Sequence, residues 1–402
     1  MNKKGPWLHL PRRRFLKGIG AGALILPFAS HRVLAEPSDS SLFTLGVASG
    51  DPDHRSVILW TRIAPDPLAL DGGNDEAPID VHWQVAADPM MRNIVREGAT
   101  VAQPFNGHNV QVFADQLPAD ATLYYRFSAL GEVSSVGRTR TFAPRSVDPG
   151  QMKFALTSCQ DYEAGFYNAW RDIVAQDVDF VMQSGDYIYE YGPSDDPEAP
   201  RVHIGPEIET VEDYRRRYAQ YRLDPDLRAA HEAAPFICTW DDHEVDNNYA
   251  ALIPEDDQSA EAFLERRSQG YRAYFEAMPL RSGIKAFVNA TGDEPLPVER
   301  RLFRKFDFGS LASIAVLDTR QNRDDQACGD GLQVCPPAAD PMRQMIGPRQ
   351  EDFLVKQMTL SGARWRSVLQ AAHPPNNPRL QKQPLDILSR VVVLATNGMD
   401  AF

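Results

Sequence analysis

Four short apolar runs between residues 152 and 319 constrain this chain more than anything else in it. They are MKFALTS (152–158), VDFVMQS (178–184), PFICTW (235–240) and LASIAVLDT (311–319). Each is six to nine residues long and rich in buried types, nearer the length of a strand than of a helix. Each runs out into polar, metal-binding types: Cys159 in TSCQD, Asp186 and Tyr189 in SGDYIYEYG, Asp241, Asp242 and His243 in TWDDHE, and Asp318 and Arg320 in LDTRQ. Helical patterns alternate with these runs. GFYNAWRDIV (165–174) fits a helix between the first two, TVEDYRRRYAQYR (210–222) opens on a Thr cap with an acid three residues on, and SAEAFLERRSQGYRAYFEAM (259–278) carries aromatics at helical spacing. Strand–helix alternation predicts an α/β domain. Open α/β sheets bind ligands outside the carboxyl ends of their strands, where these polar residues fall. The stretch TWDDHEVDNN (239–248) crowds four acids, one His and two Asn together. Like charges that close repel one another, so cations among them are expected. The Arg-rich runs of the two longer helices read as solvated faces.

Upstream, the style is all-β. SVILWTRI (56–63), DVHWQVAAD (80–88), HNVQVFAD (108–115), ATLYYRFSA (121–129) and GRTRTFAP (137–144) read as short strands with turn signals between them. This is sandwich spacing, resembling a fibronectin type III-like module over 41–147, with no chemical cluster of its own. The first 35 residues read as an export signal: PRRRFLKG has twin-arginine spacing, GIGAGALILPFA is a short apolar core, and VLA precedes a cut expected after Ala35. That apolar stretch is too short for a stable membrane anchor.

The chain carries a net charge of −13. Residues 1–35 hold seven basic residues and no acid, so without them 35 basic residues face 55 acidic ones, a net charge of −20. Such a surface repels nucleic acid and anionic membranes, and it would repel a phosphate ester unless cations make the site locally positive. Four cysteines make no disulfide framework, but Cys328 and Cys335 could close a small ring in an oxidising compartment.

Taken together, GVASGDP, LWTR, TSCQ, GDYIYEYG, TWDDHEVDNN, FDFGSLASIAVLDTRQ and CGDG resemble the PhoD-type alkaline phosphatases, within the calcineurin-like metallophosphoesterases, from about 43 to 365. The resemblance implies a metallophosphoesterase-type sandwich of β-sheets flanked by helices over 152–402. It implies phosphate-ester hydrolysis by metal-activated water, with ferric iron and calcium as cofactors. Cys159 and Tyr189 would be iron ligands, Asp186 would bridge two metals, and Asp242 would be a further ligand. His243 would contact the phosphoryl group and help protonate the leaving oxygen. Asn247 or Asn248 would add an oxygen ligand, and Arg320 would contact phosphate, against the alternative of an Arg pairing with Asp318. A thiolate and a phenolate suit ferric iron, and carboxylates and amides suit calcium. Export of a folded, metal-loaded protein by the twin-arginine translocation machinery, to the periplasm or outside, fits the same picture. Two other readings are a phospholipase D-like diesterase and an inactive metal- or phosphate-binding remnant. The second is prompted by the C-terminal end. Family members carry a later Gly-Asp-Val-His segment with final metal ligands, the chain here stops at NGMDAF, and His373 shows no sign of replacing the missing His. Weak or no activity and poor metal binding are therefore expected of this chain.

Overall fold

The computed structural model describes residues 42–255, 258–281, 301–329 and 335–371, and the backbone of Val391–Ala395. The export signal expected over 1–35, His373 and the terminal NGMDAF lie outside the described residues.

The N-terminal region forms β1 (Val47–Gly50), β2 (Val57–Arg62), β3 (Ile79–Ala86), β4 (Ile94–Ala102), β5 (Asn109–Ala114), β6 (Thr122–Ala129), β7 (Glu132–Val133) and β8 (Gly137–Arg140). The α/β region follows with β9 (Phe154–Thr157), α1 (Asn168–Gln176), β10 (Phe180–Gln183), α2 (Val211–Arg222), α3 (Pro225–Ala233), β11 (Phe236–Cys238), α4 (Ala260–Ala277), β12 (Arg304–Phe308), β13 (Ala312–Val316), α5 (Pro348–Leu360), β14 (Trp365–Gln370) and β15 (Val391–Ala395). All four strands expected ahead of the polar clusters are present. The cap predicted for α2 is a full capping box: Thr210 Oγ1 accepts from Asp213 N, and the Asp213 carboxylate accepts from Thr210 N.

Three sheets carry the architecture. One is β4-β3-β6-β7, with β8 on β6. A second, β12-β13-β14-β15, is parallel except for β12. The third runs β5-β2-β1-β11-β10-β9 and crosses the expected domain boundary. Its β9, β10 and β11 are parallel neighbours, and β1 adds to β11 in parallel, with Gly50 opposite Phe236. The change of style near residue 150 is therefore a boundary along the chain but not across the sheet. Gly50 is required at the joint, because a Cβ there would lie 2.4 Å from Pro279 O and 2.7 Å from Phe236 O.

Apolar side chains fill the spaces between layers. Val47, Leu59, Val81, Trp83, Tyr125 and Phe127 lie among those between the first and third sheets. Phe180, Met182, Ile237, Phe306, Ile314 and Leu369 pack the third sheet on the second. Helices cover the other face of β9–β11 through Trp170, Tyr214, Phe236, Trp240, Tyr271 and Tyr274. On the outside of the second sheet, Leu354 of α5 packs with Leu317 and Val368.

The Arg-rich faces of α2 and α4 are not solvated, which corrects the reading from charge pattern. Arg215, Arg217, Arg222, Arg266 and Arg267 are all buried. Paired guanidiniums tolerate burial where lone ones do not. Arg215 bonds both carboxylate oxygens of Glu276, at 2.6 and 2.7 Å, and Arg266 reaches Glu207 at 2.6 Å and Asp246 at 3.1 Å. Cys328 and Cys335 are joined by a disulfide, with Cα atoms 5.9 Å apart.

Candidate metal centre

The loops leaving β9, β10 and β11 meet at one end of the third sheet. Backbone bonds staple the first two together: Cys159 N donates to Gly185 O at 3.2 Å, and Gln160 N to Asp186 O at 3.1 Å. Both Cys159 (φ 52°) and Asp186 (φ 54°) sit in the left-handed region, which costs a residue other than glycine on the order of 1 kcal/mol. Gly185 (φ 109°) makes the crossing possible, since a Cβ on it would lie 2.5 Å from Asp241 N.

Five of the sequence-predicted residues are brought together here. Asp186, Asp242 and His243 each offer a ligand atom, all within 4.8 Å of one another, and all three are buried. The Cys159 thiol donates to Asp186 Oδ2 at 3.2 Å. Tyr189 stacks on the His243 ring with centroids 4.1 Å apart. Asp318 sits behind the cluster, taking Trp240 Nε1 at 3.0 Å.

The electrostatics of this nest are unfavourable as it stands. Burial, then the charges of Asp242 and Asp241, push the Asp186 carboxyl well above its usual range. Its Oδ1 is buried with no hydrogen-bond partner among the described residues. Burial and then Asp186 likewise drive the Cys159 thiol and the Tyr189 phenol up, so both hold their protons. A buried, unpaired carboxylate oxygen beside a thiol and a phenol is a donor set that a multivalent cation would satisfy.

Three residues that the sequence reading passed over build the frame. Glu244, 1% exposed, accepts from three backbone N–H groups: Tyr187 at 2.7 Å, Asp241 at 2.8 Å and Asp186 at 3.2 Å. Burial still lifts it to about 7 against the pull of those donors. Glu190, fully buried, takes His243 Nδ1 at 2.8 Å on one oxygen and Asn247 N at 2.8 Å on the other. Burial works against charge on His243, but Glu190 and then Asp242 outweigh it and hold the imidazole protonated well past its ordinary range. Arg217 closes the frame from α2, with Nη1 on the carbonyls of Tyr189 and Tyr191. The alternation Tyr-Glu-Tyr at 189–191 was the available signal, since it places one carboxylate between two rings.

Arg320 is 1% exposed, and its guanidinium reaches Asp241 at 2.5 Å and Asp242 at 3.1 Å. Asp318 bonds the Arg320 backbone N at 3.0 Å. Burial raises the Asp242 carboxyl, but Arg320 and then His243 more than offset it and hold it at about 2. Asn248 N donates to Asp242 Oδ2 at 2.7 Å, while the side chains of Asn247 and Asn248 both turn to Glu255, at 2.5 and 3.5 Å. The cluster is thus graded. One carboxylate is locked as an anion by an arginine, and its neighbour is left short of positive charge.

Comparison with known proteins shows what the chain is similar to. Residues 154–376 match the family model described as PhoD-like phosphatase, and residues 29–143 match that of the PhoD-like phosphatase N-terminal domain. The chain is 46% identical over 373 residues to alkaline phosphatase D of Bacillus subtilis (strain 168), covering 89% of this chain and 62% of that one. It superposes on a solved structure titled "Structure of PhoD" with a TM-score of 0.81 and 41% identity, over 90% of this chain and 72% of the other. The chain belongs to the PhoD-like phosphatase family.

Proposed function

We propose that this chain is a metal-dependent hydrolase of phosphoric esters, of the kind its relative's name, alkaline phosphatase D, denotes. The observation that carries the reading is the Asp186 carboxylate: its Oδ1 is buried without a hydrogen bond among the described residues, its Oδ2 takes the Cys159 thiol, and it clusters with Asp242 and His243 within 4.8 Å. Cys159, Asp186, Tyr189 and Asp242 would hold the metals, with ferric iron on the thiolate and phenolate and calcium on the carboxylates. Bound cations lower the pKa of water and neutralise the phosphoryl oxygens.

The chain's own groups do the rest. Arg320 keeps Asp242 ionised and in place. Glu190 fixes the His243 ring through Nδ1, which leaves Nε2 as the proton-bearing atom for a departing ester oxygen. Glu244 sets the two loops at a fixed spacing by collecting their N–H groups. Residues 1–35 would send the protein, folded, through twin-arginine translocation.

The test is to produce the chain, supply iron and calcium, and measure hydrolysis of phenyl phosphate and of a diester, bis(p-nitrophenyl) phosphate. Turnover abolished by chelation and reduced at least 100-fold in Cys159→Ala and Asp186→Asn is expected. Turnover indifferent to chelator and to both variants would refute the reading, and the preferred ester separates phosphatase from diesterase. For export, a reporter fused behind residues 1–35 should leave the cytoplasm. It should stay there when Arg12 and Arg13 are both changed to Lys.

A further inference from the structure

Tyr191 is held at the site yet left open to solvent. Its ring meets the His243 imidazole edge-on, with centroids 5.5 Å apart and planes at 67°. The same imidazole stacks on Tyr189 on another side. Tyr189 is the more buried of the two tyrosines, whereas Tyr191 remains 42% exposed. An exposed tyrosine on a loop is ordinarily free to swing, but the Tyr191 carbonyl is fixed by Arg217 Nη1 at 2.8 Å, and Arg217 is itself buried. The residue before it, Glu190, is anchored twice. The backbone under the ring is therefore fixed, and the ring stands 5.5 Å from the His243 imidazole.

That position has a chemical meaning if His243 protonates the leaving oxygen. A general acid must lie about 2.6–3.2 Å from the atom it protonates. The group attached to that oxygen then lies beside the imidazole, which has the solvent-exposed Tyr191 ring as a neighbour at 5.5 Å. The surroundings also select by charge. The acidic side chains of Glu190 and Glu255 neighbour Tyr191, and Glu255 is kept close by Asn247 Nδ2 at 2.5 Å. A leaving group that is itself an anion would be repelled there.

We propose that Tyr191 forms the leaving-group subsite and that it favours uncharged leaving groups with a flat apolar face, the aryl and nucleoside class, over non-planar or anionic ones. The inference rests on the hydrolase reading above and deepens it. Ring-face contacts of this kind are worth about a five- to tenfold change in binding.

The metal-loaded full chain, Tyr191→Ala and Tyr191→Phe are compared on phenyl phosphate, glycerol phosphate and pyrophosphate. Tyr191→Ala is expected to raise KM for phenyl phosphate about five- to tenfold and to leave that for glycerol phosphate within about twofold. Tyr191→Phe should keep the wild-type preference, and pyrophosphate should be the poorest substrate of all three proteins. If Tyr191→Ala loses its fold by thermal melting, Tyr191→Leu, similar in bulk but without the flat face, is expected to show the same loss of preference. Equal changes on both esters, or pyrophosphate as the preferred substrate, would overturn the subsite while leaving the hydrolase reading intact. A wild-type chain that turns over none of the three would overturn both.

Discussion

Carboxylates of similar appearance do different work in this site, and their partners decide which. Asp242 has Arg320, Glu190 has His243, Glu244 has three backbone donors, and Asp186 has an oxygen without a hydrogen bond among the described residues. In Glu190→Gln the imidazole loses its anionic partner but not its packing. We expect kcat to fall about 10- to 100-fold with KM within about threefold, read by steady-state kinetics on the metal-loaded protein. Glu244→Ala should act on folding instead. It strands three buried N–H groups, and a loss of roughly 2–4 kcal/mol is expected by urea denaturation. The residues that end the strand runs were legible in the sequence, because a polar cluster after an apolar run has few structural uses. Glu190 and Glu244 were not. A buried acid reads the same as a solvated one until its partner is known, and the partner of Glu190 lies 53 positions away.

At the scale of elements, the third sheet holds the molecule together. Asp51, just past the end of β1, is fully buried and takes Arg304 of β12 at 2.7 and 2.8 Å and Arg281 N at 2.8 Å. This pair ties the third sheet to the second. Removing one partner leaves a buried charge, so Arg304→Met is expected to cost about 3–5 kcal/mol in chemical denaturation. Gly185→Ala tests the crossing of the β10 and β11 loops. A Cβ there meets backbone in a positive-φ conformation, and a loss of both stability and metal binding is expected, checked by melting and by metal content. The antiparallel strands of the N-terminal region were readable from their alternation. The parallel pairing of β1 with β11 was not, because nothing local marks a partner so distant in the chain. The arginines of α2 and α4 misled for the same reason: charge pattern reports polarity, while Glu276, Asp246 and Glu207 decide whether an arginine can be buried.

For the molecule as a whole, two buried histidines predict acid sensitivity. Burial and then Arg222 hold His231 well below its ordinary 6.5, and burial and then Arg217 bring His203 to about 4. The unfolded chain therefore takes up protons before the folded one does. The stability these groups confer is complete above pH 6.5 and is lost as pH falls from there toward 4. His203→Gln should remove its share of that slope, so urea midpoints of the variant should fall less, relative to the wild-type chain, between pH 7 and pH 5. The pairing of Gly50 with Phe236 also bears on how the protein is made. A ribosome delivers β1 long before the strand that will lie beside it, so the early half of the nascent polypeptide leaves a sheet margin bare until β11 has emerged. Chains arrested short of that point should be digested rapidly by protease, and those arrested beyond it should resist. A route out of the cell that accepts finished proteins would suit a molecule whose first strand must wait for its neighbour.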